Sequence, residues 1–301
     1  MQASTSPIFH GPYQIIWNST SLNALKDCAY KYKLQILDGW WSKDANIHIT
    51  FGLAYHKAIE IYHFARARGA SHDLATLEAV KRAMHDTWPD MLLDSKKSRQ
   101  NLIRTIVWYL EQFGEDDPIE TLILTNGEPA VEVTFAVDLG VASPSGDNYS
   151  LAGHLDRIGR FAGDLYYTDL KTTGAALGDY YFENFSPDNQ MSCYSFAGKI
   201  HTNLPLKGGI IDAAQILVGG SRFQRGFVNR TEAQLEEWRD DLHFWLSLAE
   251  VYAKREHYPM NDRSCRMCDF KRICAMDPKV RESFLASNFS KRVINPLEVR
   301  T

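Results

Sequence analysis

A chain of 301 residues, 45% hydrophobic and 23% charged, can bury a full core and is too apolar to be a disordered tail. Its formal net charge of -4 excludes a uniformly basic protein, so affinity for a polyanion has to be confined to one face. The start, Met1 to His10, lacks a basic segment followed by an apolar run, and no stretch reaches the roughly 18 apolar residues of a membrane span; a soluble, intracellular protein is expected.

Ser19-Thr20-Ser21 ahead of Leu22, Leu25, Ala29 and Tyr32 reads as a cap followed by helical spacing, which places Cys28 on an N-terminal helix. Gly52 then precedes a second helix at about 53 to 68, with Tyr55, Ala58, Ile59 and Tyr62 along one side and Gly69 as its stop. Helices follow at about 73 to 88 and 98 to 113, and acidic Gly114-Glu-Asp-Asp-Pro118 closes a helical lobe of about 15 to 127. The period then changes to two. Val131, Val133, Phe135, Val137 and Leu139 alternate with Glu132, Thr134, Ala136 and Asp138, the pattern of a half-buried strand. Strands at about 149 to 161 and 165 to 172, joined through Ala162-Gly163-Asp164, complete an antiparallel meander. A helix at about 189 to 201, strands at about 210 to 218 and 223 to 228, and a long helix from Thr231 to about Lys254 come next. The expected class is α/β, a mixed central sheet flanked by helices. One domain, 1–301, would hold the helical lobe, a core of about 128 to 256 and a cysteine segment of about 257 to 280.

Chemistry concentrates in two places. Asp169 and Lys171, two apart on one strand, project from the same face, and the meander sets Asp156 of the preceding strand beside Asp169. Two adjacent carboxylates need a cation, and their hard oxygens suit Mg²⁺ or Mn²⁺. Lys171 beside them can orient a water or help deprotonate it against a phosphodiester, which describes metal-assisted hydrolysis. The blander alternative is a surface ion pair between Asp169 and Lys171. The second place is cysteine-rich. Cys265, Cys268 and Cys274, with distant Cys28, form a set suited to a four-thiolate iron–sulfur cluster, with zinc as the alternative, while Cys193 reads as a buried apolar thiol. His56, Glu60 and His63 share a helical face and form a minor candidate metal set.

Asp156 followed by Asp169-Leu170-Lys171 resembles the signature of the PD-(D/E)XK nuclease superfamily. Gly52-Leu-Ala-Tyr-His56 and Gln190-Met-Ser-Cys-Tyr194 resemble the helical elements of its RecB-like branch. The cysteine arrangement is similar to that of the CRISPR-associated RecB-like exonucleases of the fourth Cas family and the AddB nuclease domain. Ala29 stands where that family commonly has Pro, and Asp169 where it often has Glu.

The resemblance implies a restriction-endonuclease-like core and a 4Fe-4S cluster on Cys28, Cys265, Cys268 and Cys274. It implies a metal held by His56, Asp156, Asp169 and the Leu170 carbonyl, with Lys171 positioning the attacking water. Gln190 and Tyr194 would contact DNA or brace the site, and Glu132 is a further carboxylate for it. The implied activity is a DNA exonuclease on single strands or ends, in recombination, repair or phage DNA processing. Alternatives are an endonuclease or flap-type nuclease, or a DNA-end-binding subunit of a recombination or CRISPR adaptation complex. Lys26, Lys31 and Lys33 with Arg263, Arg266, Lys271 and Arg272 would form a basic rim, and Arg222-Phe223-Gln224-Arg225 a stacking site.

Overall fold

The computed structural model describes residues 8–43, 46–87 and 94–298, so Met1 to Pro7 and Trp88, the expected end of one helix, lie outside them. Strand β1 (Ile16–Trp17) leads into helix α1 (Ser19–Asp27), which Asn18 caps by accepting from the Ser21 amide. Cys28 is not inside the helix. It stands just past it in extended backbone, φ -167°, before the short helix Ala29–Tyr32.

Helix α2 (Ile47–Ala67) starts earlier than its sequence suggests, at the Asn46 cap, so Gly52 lies within it rather than ahead of it. Ile47, Ile49, Thr50 and Gly52 are indifferent helix formers, but burial of Phe51, Ala54, Tyr55 and Ile59 along one face outweighs that deficit. Gly52 faces the strand end at Thr172: a Cβ there would sit 3.4 Å from Thr172 Oγ1, in van der Waals contact. Helices α3 (His72–Asp86) and α4 (Arg99–Phe113) begin at Ser71 and Ser98, whose hydroxyls accept from backbone amides of the first turn.

The sheet is built on a long central strand. After β2 (Glu120–Thr121) and β3 (Val131–Ala142) comes β4 (Asn148–Phe161), which pairs antiparallel with both and parallel with β1 at Ser150 and Leu151. On the same edge as β1, β4 pairs antiparallel with β5 (Asp164–Thr173), from Phe161 and Asp164 as far as Arg157 and Thr168. There the two strands part. β5 continues alongside β6 (Leu206–Ile216), to which it is parallel, and β7 (Ser221–Val228) closes the edge antiparallel to β6. A parallel neighbour demands a crossover, and α5 (Asn189–Thr202) supplies it. The sheet is mixed, as expected.

Helix α6 (Glu232–Arg255) and helix α7 (Pro278–Asn288) follow, the latter unforeseen in the sequence. Met191, Tyr194 and Ala197 of α5 and Trp238, Leu242 and Leu246 of α6 cover one sheet face, over Leu151, Leu155 and Tyr167. On the other face α2 and α4 pack Phe51, Tyr55, Ile59 and Tyr109 over Leu170, Ala214 and Ile216. Each Leu, Ile, Phe or Met among them, wholly removed from water, contributes about 1.5 to 3 kcal/mol. Strand β5 is thus fixed from both sides, and its end is a firm platform.

Candidate active site

Where β4 and β5 part, the next residue on each strand is an aspartate. The ladder stops at Arg157 and Thr168, so the Leu170 amide has no strand acceptor on β4; it donates instead to Asp156 Oδ2 at 2.8 Å. One carboxylate therefore bridges the fork. Asp169, across from it and 2% exposed, holds the Lys171 ammonium in an ion pair at 2.5 Å, which places both on one face of β5 as alternation predicts.

Helix α5 presents Gln190 and Tyr194 one turn apart to that pair. Lys171 Nζ donates to Gln190 Oε1 at 3.0 Å, and because an ammonium has only donors, the amide orientation follows. Gln190 Nε2 then donates to the Tyr194 hydroxyl at 2.9 Å and reaches Asp169 Oδ1 at 3.3 Å. The Tyr194 ring is buried edge-on between Phe135 and Tyr167. The ring is packed into the core, and its hydroxyl meets Gln190. From α2, His56 brings Nδ1 to 3.6 Å from Asp156 Oδ2. Glu132 lines the same narrow cleft as His56, Glu60 and Asp156, and its backbone is left-handed at φ 50°, a conformation costly for a residue with a Cβ.

Burial pushes the Asp169 carboxyl up; Lys171 draws it down and the field of Asp156 pushes it up again, for a net rise. Burial pulls Lys171 down, but the Asp169 carboxylate and the more distant Asp156 and Asp188 outweigh it, so its net shift is upward. The rise belongs to the ion pair with Asp169, in which the Lys171 ammonium donates to Gln190. Replacing Gln190 with alanine removes its one side-chain anchor besides Asp169. A turnover loss of about 10- to 100-fold, with little change in melting temperature, is the expected outcome in a cleavage assay.

Several residues singled out in the sequence have other employment. His63 Nδ1 accepts from Arg157 at 3.0 Å, and Glu60 pairs with Lys57 at 2.9 Å, so the His56, Glu60, His63 set does not converge. Arg225 is taken up inside the protein, half-buried against Asp117 and Asp212 with its guanidinium over the Phe113 ring, and Phe223 packs edge-on against Tyr109. Lys31 and Lys33 of the basic rim are paired with Asp27 and Asp38. Asp117, in the acidic stretch that closes the helical lobe, accepts from both Arg157 and Arg225 directly behind the fork. Its signal was the Arg immediately after Asp156, a charge that has to be neutralised if its strand is buried. A groove of about 620 Å³ also opens beside His56, walled in part by Trp41, Lys57, Arg82 and Arg292.

The cysteine segment folds onto the end of α1. Asn261 Nδ2 and Ser264 Oγ both donate to the Asp27 carbonyl at 2.8 Å, and the Tyr30 amide donates to Pro259 O at 3.2 Å. The Asn261 amide donates to Cys28 Sγ at 3.3 Å, and Cys265 Sγ–H donates to Asn261 O at 3.7 Å. Burial pushes Cys274 up to about 11, with the fields of Cys268, Cys28 and Cys265 adding to it, so the four thiols share one electrostatic neighbourhood. Cys193 is elsewhere, wholly buried, and burial pushes it up to about 12. Among the described residues, no three His, Cys, Asp or Glu side chains are already drawn together as a metal-binding group.

A family model described as the PD-(D/E)XK nuclease superfamily matches residues 17–275. Among solved structures, a candidate exonuclease from Eubacterium rectale is similar over 92% of this chain and 95% of its own, at 13% identity and a TM-score of 0.50, a likeness of fold. A protein named SSO0001 is similar over 72% of this chain and 84% of its own, at 14% identity and a TM-score of 0.33, too remote to carry an argument. No curated protein sequence matches the chain.

Proposed function

The chain belongs to the PD-(D/E)XK nuclease superfamily, and from that premise we propose a RecB-like DNA exonuclease, dependent on Mg²⁺ or Mn²⁺ and carrying a 4Fe-4S cluster. It acts on single-stranded DNA or DNA ends, in recombination, repair or phage DNA processing, alone or within a larger complex, and residues 1–301 form one nuclease domain. One observation carries the reading: the Lys171 ammonium held between Asp169 and Gln190, beside Asp156 at the strand fork.

The donor set suits a hard divalent cation. Asp169 is buried and pushed toward protonation, the field of Asp156 adding to burial, while Asp156 Oδ2 accepts from the Leu170 amide and lies 3.6 Å from His56 Nδ1. Asp156, Asp169, His56 and the Leu170 carbonyl would hold the ion. When bound, it supplies Lewis acidity and a lowered pKa for water. Lys171 donates to the attacking water or to a non-bridging phosphate oxygen, and Gln190 keeps it aimed. Tyr194 fixes Gln190 from the core side. Burial of Asp169 keeps this arrangement out of competing water.

Cys28, Cys265, Cys268 and Cys274 would hold the cluster, which ties α1 to the C-terminal segment and does no chemistry on the substrate. Support lies in the common electrostatic neighbourhood of the thiols and in the hydrogen bonds that already seat the two segments. Cys268→Ala should yield colourless protein that has lost its iron and about 2 to 4 kcal/mol of stability, by analogy with crosslink removal. The bonds from Asn261 and Ser264 keep the loss from being larger. Full iron content with a wild-type melting temperature would rule the assignment out.

The activity is tested by digesting end-labelled linear and circular single-stranded DNA with Mg²⁺ or Mn²⁺, using anaerobically purified protein. Stepwise loss of label from linear strands alone supports the exonuclease. Cutting of circles would establish the endonuclease alternative instead.

A further inference from the structure

Beyond the fork, the end of β5 and the loop before α4 enclose a second pocket, of about 550 Å³. Its walls include His48, Asp94, Lys96, Lys97, Thr172 and Thr173. Lys97 is 7% exposed, with Nζ 5.2 Å from the centre of the Phe51 ring. Among the described residues its ammonium has no hydrogen-bond acceptor and no ion-pair partner. The nearby acid is already engaged: Asp94 Oδ1 accepts from the Lys96 and Lys97 backbone amides at 2.8 and 2.9 Å. Burial pulls the Lys97 ammonium down, with Asp94 opposing. A largely buried lysine whose nearest acid only partly offsets the burial is costly.

The pocket is also rigid. Asn101, itself 5% exposed, donates from Nδ2 to the Ser95 and Lys96 carbonyls at 3.2 and 2.8 Å and lies within 3.5 Å of the Leu217 carbonyl, so the lysine loop is pinned to the sheet. Its far wall is Thr172 and Thr173, which follow Lys171 directly. At a strand rise of about 3.3 Å per residue, these two lie roughly 3 to 7 Å along β5 from Lys171. A neighbouring phosphate of one strand lies at comparable range.

We propose that this pocket is a phosphate subsite. It takes one phosphate of the DNA strand adjoining the scissile one, with the Lys97 and Lys96 ammonium groups as counter-ions and the Thr172 and Thr173 hydroxyls as donors. The proposal rests on the nuclease reading for the source of the phosphate, whereas the pocket itself can be tested without it.

Metal-free protein is melted in sodium phosphate and in chloride at equal ionic strength. Phosphate at ten times its Kd should raise the wild-type melting temperature by about 2 to 4 °C. Exclusion of phosphate from the surface stabilises every variant alike, so the readout is the difference between proteins. Lys97→Met, which keeps the length and drops the charge, should lose the specific shift while melting no lower than wild type in chloride. If that variant fails to fold, Lys96→Met combined with Thr173→Val carries the same comparison. Equal phosphate shifts in wild type and variant overturn the subsite.

Cleavage of 5′-phosphorylated, 3′-phosphorylated and hydroxyl-ended strands then identifies the source. A KM preference for one phosphorylated end, lost in Lys97→Met, assigns a terminal phosphate. A KM rise of about 10-fold on all three assigns an internal one. An active variant with unchanged KM on all three overturns the DNA role. A protein that cuts no DNA while its phosphate shift depends on Lys97 would sink the nuclease reading and leave the anion site standing.

Discussion

Lys171→Ala is expected to lower phosphodiester hydrolysis by about 10²- to 10⁴-fold while the protein stays folded. Among the described residues the side chain is the one ammonium at the fork. It is held at 2.5 Å from Asp169 and 3.0 Å from Gln190, so its position is fixed before substrate arrives. Alanine removes the donor without inserting bulk, and Asp169, already pushed up by burial, can take a proton in place of its lost partner. Lys171→Arg should rescue little, since a planar guanidinium does not reproduce a point charge in this cage. Single-turnover cleavage of end-labelled DNA by the wild type and both variants gives the comparison. Equal rates would remove Lys171 from the chemistry and with it the core of the proposed function.

The second large effect concerns stability. Asp117→Ala should cost about 3 to 5 kcal/mol, because it leaves the buried Arg157 guanidinium without an acid and Arg225 with Asp212 alone. Arg157 and Arg225 both donate to this carboxylate, and Arg225 also bonds Asp212, which in turn accepts from the Tyr109 hydroxyl at 2.6 Å. Two arginines and two aspartates are neutral together; removal of one acid is not. Burial pushes Asp117 up, but Arg157 and Arg225 pull it further down, and its net shift is below the usual carboxylate range. Its contribution is therefore complete above the unfolded-state pKa of about 3.9 and is lost as the pH falls through the lower folded value. Urea unfolding of wild type and Asp117→Ala at neutral pH and at about pH 3.5 measures both. The gap between the two proteins should be large at neutral pH and should narrow in acid. Less than about 1 kcal/mol of difference at neutral pH would show that the network is dispensable.

Much of the fork could be read from local patterns. Alternation from Val131 onward marks a strand, and spacing alone puts Asp169 with Lys171 and Gln190 with Tyr194. What escaped depends on partners distant in the chain. The α2 start is masked by a run of weak helix formers that tertiary burial rescues. Asp117 looks like loop acidity until Arg157 and Arg225 are known to close on it. The parting of β4 from β5 has no signature at all, since residues on both sides of Arg157 remain extended and strand-like. Cys28 was readable as a ligand candidate, yet its extended backbone at the helix break follows from packing against Pro259 and Asn261.

The seating of the chain's early residues sets a timetable for folding. β1 gains its neighbours only when Ser150 and Leu151 are available, and the stretch around Cys28 gains its neighbours only with Pro259 to Ser264. Contacts of such sequence separation form slowly, since the closure entropy of long loops precedes any reward. During synthesis the helices α2 to α4 can therefore gather while the first strand waits. The nuclease fork, which needs β5 flanked on both sides, is assembled late, so a growing chain carries no finished active site until most of it has left the ribosome.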